Sequence, residues 1–294
     1  MPDATGKLVL MGSGELTATM VEVHKELIAG LAPPQTAVFL DTPAGFQLNV
    51  EQISENAVRY FDTRVHHPLG IASFASADGV TPFEAESVFH TLRNAQFILI
   101  GPGSPTYAVR QMCNTPIPEI FSKVVHSGGC LVAASAAALT VGACTLPVYE
   151  IYKVGEDLHW VDGLGLLGGF GFDLVVVPHW NNAEGGTHDT RRCFMGEARF
   201  RELEKQLPGN VGILGLDEHT ACIIDLATRQ ATVRGIGRVI VKKGERLQVF
   251  TKGDVFPTAA LIDPGTDAPA KWANATPTTA AAAGRHVDRH FWER

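Results

Sequence analysis

No run of apolar residues in this 294-residue chain approaches the roughly 20 needed to cross a bilayer. The opening Met-Pro-Asp-Ala-Thr-Gly also lacks the basic start and apolar stretch of a secretion signal. A soluble, cytoplasmic protein is therefore expected, with no membrane partner. Positive charge is scarce: 24 Lys and Arg stand against 31 Asp and Glu, a formal net charge of −7. No Lys/Arg cluster reverses that balance locally, so nucleic acid is not an expected partner. The five cysteines (Cys113, Cys130, Cys144, Cys193 and Cys222) are odd in number and never spaced as Cys-x-x-Cys. That excludes both a disulfide framework and a structural zinc site. His66, His67, His179 and His188 show no metal-ligand spacing such as His-Glu-x-x-His, so neither a metal nor a cofactor is expected. What remains is chemistry on a small peptide or amide by the side chains alone.

The chain has the material for a large core, with 45% hydrophobic residues, 30 Gly and 17 Pro. Short apolar runs at Lys7–Met11, Thr36–Asp41, Phe97–Ile100, Cys130–Ala133, Leu174–Val177 and Val211–Leu216 read as buried strands of a largely parallel sheet. Amphipathic patterns at Thr17–Leu31, Val50–Phe61, Pro82–Arg93, Thr106–Cys113, Ile117–His126 and Thr187–Leu207 read as helices between them. Such alternation predicts a three-layer α/β/α sandwich. The runs Thr220–Asp225, Gln230–Arg234, Arg238–Lys242 and Leu247–Phe250 then predict a C-terminal antiparallel meander extending one edge of the sheet. Residues 1–256 are expected to form one domain, and 257–294 a Pro/Ala/Thr-rich tail with a short docking segment near Trp292. The exposed edge or that segment could join two copies, and a homodimer is the commonest oligomer.

The segment Gly128-Gly-Cys-Leu-Val-Ala-Ala-Ser135-Ala-Ala-Ala-Leu reads as strand, tight turn and helix. A serine raised on such a turn needs small neighbours, which Ala133, Ala134, Ala136 and Ala137 provide, although the usual Gly-x-Ser-x-Gly has alanine for both glycines. Taken alone, Ser135 could equally be a helix N-cap. After Phe97–Ile100 the loop Gly101-Pro-Gly-Ser-Pro-Thr-Tyr107 presents backbone N–H groups. Pro102 has none, so the amides of Gly103 and Ala136 are the expected oxyanion donors, with Gly101 allowing close backbone approach. His179, at the end of Leu174-Val-Val-Val-Pro178, is placed as general base, while His188 would orient a loop or substrate. A carboxylate must hold the imidazole; Glu150 is the best candidate, with Glu156, Asp157 and Asp162 left open.

Four ordered segments resemble the aspartyl dipeptidase and cyanophycinase family of serine peptidases, with its class I glutamine amidotransferase-like fold. They are Gly101 to Tyr107, Ala134-Ser135-Ala136, Pro178-His179-Trp180-Asn-Asn-Ala, and Gly212-Ile-Leu-Gly-Leu-Asp217-Glu-His-Thr-Ala221. The resemblance implies Ser135 as nucleophile and His179 as base. It also singles out Glu150, fifteen residues after Ser135, as the third member. It places the Asp217-Glu218-x-Thr220 turn near the active-site end of the sheet. Val177-Pro178 stands where cyanophycinases typically carry Asp-Gln, which favours the dipeptidase pattern.

The expected activity is thus hydrolysis of small peptides or amides through an acyl-enzyme on Ser135, with an acidic substrate residue taken by Arg191 or Arg192. The Ala-for-Gly changes at the turn support an alternative: a catalytically decayed ligand-binding or scaffolding protein of the same fold. A Cys-dependent amidotransferase ranks below both, because Ser135 occupies the nucleophile's place.

Overall fold

The computed structural model describes residues 4–265. Among the described residues, fourteen strands and eight α-helices follow one another in an α/β order. The largest sheet has eight strands. Its parallel part comprises β1 (Lys7–Met11), β2 (Ala37–Leu40), β3 (Gly70–Ala72), β4 (Phe97–Ile100) and β5 (Cys130–Ala134), in the spatial order β1-β5-β4-β2-β3. Strands β1, β2, β4 and β5 are almost entirely buried, as their unbroken apolar runs require.

Strand periodicity divides these side chains between two layers. Leu8 and Leu10 enter one core together with residues of α3 (Pro82–Arg93), α4 (Pro105–Met112), α5 (Ile117–His126) and α6 (Ala136–Thr140). Val9 and Met11 enter the other with α1 (Val21–Ala29) and α2 (Val50–Tyr60). Helices therefore cover both faces of the parallel part. Thr81 starts α3 with a capping box, its hydroxyl accepting from the Glu84 amide while Glu84 reaches back to the Thr81 amide.

Two expectations need correction. Strands β8 (Leu174–Val177) and β9 (Gly212–Leu216) do not join the large sheet; they form a four-stranded sheet with β12 (Arg238–Lys243) and β13 (Arg246–Thr251). The antiparallel residues are consequently split. At Asp217–His219 the chain leaves the small sheet, so that β10 (Thr220–Asp225) pairs with β1, opposing Cys222 to Leu10, and β11 (Gln230–Gly235) pairs with β10. The small sheet turns Val175, Val177 and Ile213 toward Phe200 and Leu203 of α7 (Gly196–Gln206), and Leu174, Val176 and Leu214 toward the main core. Strands β6 (Cys144–Thr145) and β7 (Val161–Asp162) form a small antiparallel pair.

The second correction concerns helix lengths. Of the helix expected over Thr187–Leu207 only α7 is helical; Arg192, Cys193 and Phe194 all have positive φ (59°, 56° and 68°), which interrupts a right-handed helix. Val255–Pro257 forms β14 against β11, and α8 (Ala259–Ile262) buries Leu261. The Trp292 segment lies outside the described residues. Among the described residues no helix is long and apolar enough to cross a membrane.

Candidate active site

Parallel strands point their carboxyl ends the same way, and the loops leaving those ends are where α/β sheets hold their ligands. Ser135 follows β5 directly and precedes α6. Its backbone is at φ 52°, ψ −118°, a region that costs a non-glycine residue about 1–3 kcal/mol. The conformation is fastened by the Ser135 amide, which donates to the Met11 carbonyl at 3.0 Å, and by the Ser135 carbonyl, which accepts from Ala138 N at 3.0 Å. The surrounding alanines are buried to 5% exposure or less. Neither Ala133 nor Ala137 has a positive φ. These positions require smallness but not glycine's backbone freedom, so alanine satisfies them.

His179 lies just beyond β8, at φ 49°. Its amide donates to the Gly12 carbonyl at 3.3 Å, tying the small sheet to the end of β1, and its carbonyl accepts from Asn182 N and Cys193 N. The imidazole Nε2 is 2.9 Å from Ser135 Oγ, and Nδ1 is 2.9 Å from Glu218 Oε1. An ionised carboxylate can only accept, so it selects the tautomer with the proton on Nδ1 and leaves Nε2 to accept from the serine hydroxyl. Phe194 packs against the ring at 6.1 Å between centroids.

Glu218 comes from the turn between β9 and β10. Its amide donates to Asn181 Oδ1 at 2.7 Å, and its Oε1 also accepts from Nδ2 of the buried Asn182 at 3.0 Å. The hydrogen bond from His179 holds the Glu218 carboxyl below the ordinary value; burial acts against this, and Asn182 adds to it. The parallel register explains the meeting. Val177 lies beside Gly215, so His179 and Glu218 leave adjacent strands two and three residues later.

Glu150 does not take the position expected of it. Its Oε1 accepts from Thr106 Oγ1 at 2.5 Å, at the first turn of α4, and the partner of His179 is Glu218. The reason is topological: Glu150 follows α6 and β6 in a short π-helical turn, Glu150–Val154, that packs toward α4 rather than at a strand end beside β8. The other acids considered are also elsewhere. Glu156 pairs with His159 at 3.8 Å, the Asp157 carbonyl accepts from the same ring, and Asp162 is exposed on β7.

Gly103 has φ 147°, and a Cβ there would stand 2.0 Å from the Pro43 carbonyl oxygen, so the position admits only glycine. Its amide has no acceptor among the described residues. Ala136 begins α6, where an amide has no intrahelical acceptor. Gly101 is a packing position, since a Cβ there would meet the Phe39 ring at 2.5 Å. His188 is exposed and stacks on Tyr152, with Nε2 3.4 Å from the phenol oxygen.

Both arginines are already engaged. Arg191 makes a bidentate pair with Asp189, Nε to Oδ1 at 2.9 Å and Nη2 to Oδ2 at 2.8 Å. Arg192 lies 3.9 Å over the Trp180 ring and donates to Glu197 at 3.0 Å. Cys130 is fully buried in β5, and burial pushes its thiol up to about 12, leaving no thiolate for an amidotransferase. Among the described residues no three His, Cys, Asp or Glu side chains are grouped as a metal ion would need.

Glu15, on the loop after β1, is a further buried acid. Burial raises its carboxyl, while its own amide and the nearby His179 and His219 act in the opposite direction. The resemblance places the Asp217–Glu218 turn near the active-site end of the sheet but gives Glu218 no role. The signal that could have found it is its place at a strand's carboxyl end, the same property that picked out His179; the separation from Ser135 that the resemblance implies points to Glu150 instead.

No family model and no curated protein matches the sequence. Solved structures do match the fold. A peptidase from an acI-B1 Actinobacterium aligns over 87% of this chain and 98% of its own, with a TM-score of 0.69 at 21% identity. A protein provisionally assigned as peptidase E from Listeria monocytogenes EGD-e aligns over 84% of this chain and 99% of its own, with a TM-score of 0.51 at 16% identity. The chain is thus similar in fold to proteins described as peptidases over nearly their whole length.

Proposed function

We propose that the chain is a serine hydrolase of small peptides or amides, built on a class I glutamine amidotransferase-like fold and using Ser135, His179 and Glu218. The observation that carries this reading is the unbroken chain of contacts, Ser135 Oγ to His179 Nε2 at 2.9 Å and His179 Nδ1 to Glu218 Oε1 at 2.9 Å. The names of the structurally similar proteins favour a peptidase within that class.

In this reaction Ser135 Oγ attacks the scissile carbonyl carbon as its proton passes to His179 Nε2. Glu218 stabilises the imidazolium. The amides of Ala136 and Gly103 would face the oxyanion. Collapse breaks the C–N bond, and His179 delivers its proton to the departing amine. Water then attacks the Ser135 ester, again losing its proton to His179, and releases the acid and the free serine.

Ordinary backbone at Ala133 and Ala137 removes the feature that favoured a decayed enzyme. Recognition of an acidic substrate residue by Arg191 or Arg192 loses its support as well, because both guanidinium groups are paired. The test is labelling with a fluorophosphonate. The parent protein should be modified on Ser135, and Ser135→Ala, with an unchanged melting profile, should not. A parent protein that fails to label would refute the hydrolase reading.

A further inference from the structure

Three successive residues, Arg192, Cys193 and Phe194, hold φ of 59°, 56° and 68°, and none of them is glycine. Residues with a Cβ disfavour the left-handed region, so a run of three is not what the local sequence would choose. The amphipathic pattern over 187–207 would carry a right-handed helix through them instead. Strain of this kind persists only where the surrounding structure fixes it, and it gathers at functional sites.

What fixes this turn is largely His179 and its neighbour. The Cys193 amide donates to the His179 carbonyl at 3.2 Å, and the Arg192 amide to the Trp180 carbonyl at 3.1 Å. Arg192 also lays its guanidinium over the Trp180 ring, and the Phe194 amide donates to the Thr190 carbonyl at 2.9 Å. Cys193 and Met195 are buried in the core shared with Phe200 and Leu203. Between them, Phe194 packs against the His179 imidazole at 6.1 Å and against Tyr152 at 5.2 Å. The turn is thus bonded to the backbone of His179 and presents a ring to its side chain.

Both nitrogens of that imidazole are engaged, one with Ser135 Oγ and one with Glu218 Oε1. Such bonds set where the nitrogens point, but the faces of the ring are held only by what packs on them. The His179 side chain keeps 13% of its exposure, and among the described residues Phe194 is the aromatic ring against it. We infer that Phe194 is a positioning residue: the left-handed turn at 192–194 sets its ring against the imidazole and so keeps His179 aligned between Ser135 and Glu218. The inference rests on the roles proposed for those three residues.

The experiment reads the alignment in protein carrying isotope-labelled histidine. The Nδ1 proton that His179 donates to Glu218 should give a low-field resonance, assigned by its loss in His179→Gln, that exchanges slowly with water. In Phe194→Ala this resonance should broaden through exchange. The second-order rate of fluorophosphonate modification of Ser135 should fall about ten- to hundredfold, the scale of loss when a reacting group is misplaced by about 1 Å. Phe194→Leu, which keeps an apolar side chain beside the imidazole, should recover much of both. Phe194→Gly separates the ring from the turn: glycine adopts the left-handed region freely, so this variant should melt no lower than Phe194→Ala while labelling as slowly. An unaltered Nδ1 resonance in Phe194→Ala, or a labelling rate equal to the parent's, would overturn the inference. Equal losses in Phe194→Leu and Phe194→Gly would do the same, since filling the space beside the imidazole would then not matter. A parent protein without the resonance would overturn the pairing of His179 with Glu218 and this inference with it. A parent that shows the resonance but does not label would refute hydrolysis alone, and the resonance in the variants would still decide how His179 is held.

Discussion

Replacing Glu218 by Gln removes the carboxylate's charge while leaving an oxygen that can still accept from His179 Nδ1 and Asn182 Nδ2. The geometry and tautomer can therefore persist, and the loss falls on stabilisation of the imidazolium formed in the transition state. At the observed 2.9 Å and an effective dielectric of about 20, the lost attraction is 332/(20 × 2.9), or about 6 kcal/mol. The Glu218 side chain retains 27% of its exposure, so solvent screening makes this an upper bound. The rate should accordingly fall by between about 10² and 10⁴. The assay is the second-order rate of fluorophosphonate modification of Ser135, which needs no knowledge of the natural substrate. Glu150→Gln provides the control, since its carboxylate does not touch the imidazole. A fall of less than tenfold in Glu218→Gln, together with a larger fall in Glu150→Gln, would refute the reasoning and return the acid's role to Glu150.

Two further outcomes follow from the surrounding structure. Ala137→Gly, which restores a glycine at the turn, should cost about 1 kcal/mol because Ala137 lies within α6, and it should not raise the rate of Ser135 labelling; a gain in rate would mean that the alanine does impair the turn. His24 is buried, donates from Nε2 to the Glu15 carbonyl at 2.7 Å and has no partner at Nδ1, and burial lowers its pKa from 6.5 to about 4, opposed by the Glu15 carbonyl. Its folded value is depressed, so its contribution to stability is complete above pH 6.5 and is lost as the pH falls toward 4, by up to about 3 kcal/mol. Urea unfolding at pH 7 and pH 5 should show about 2 kcal/mol of that loss, and His24→Gln should lessen it; an identical pH dependence in the variant would reject the assignment. Comparison with the variant is needed because the raised carboxyl of Glu15 has the opposite sign, its contribution being lost as pH rises.

The parts of the fold legible in the sequence were those written in local pattern. Strands such as Phe97–Ile100 are unbroken apolar runs because both faces are buried, and the Ser135 turn was visible because only small residues fit between β5 and α6. His179 was legible for a related reason, as a polar group ending an apolar strand. Glu218 satisfied the same criterion after Gly212–Leu216, but its partnership depends on β8 and β9 lying side by side, a pairing between segments 38 residues apart at Leu174 and Gly212. Periodicity does not specify which strands pair. The division into two sheets was hidden for the same reason, since the change of direction at Asp217–His219 is set by β10 finding β1, more than 200 residues earlier in the chain. The separation by which the resemblance singles out Glu150 shares that shortfall, since distance along the chain does not report adjacency across the sheet. The positions at strand ends carried the better signal.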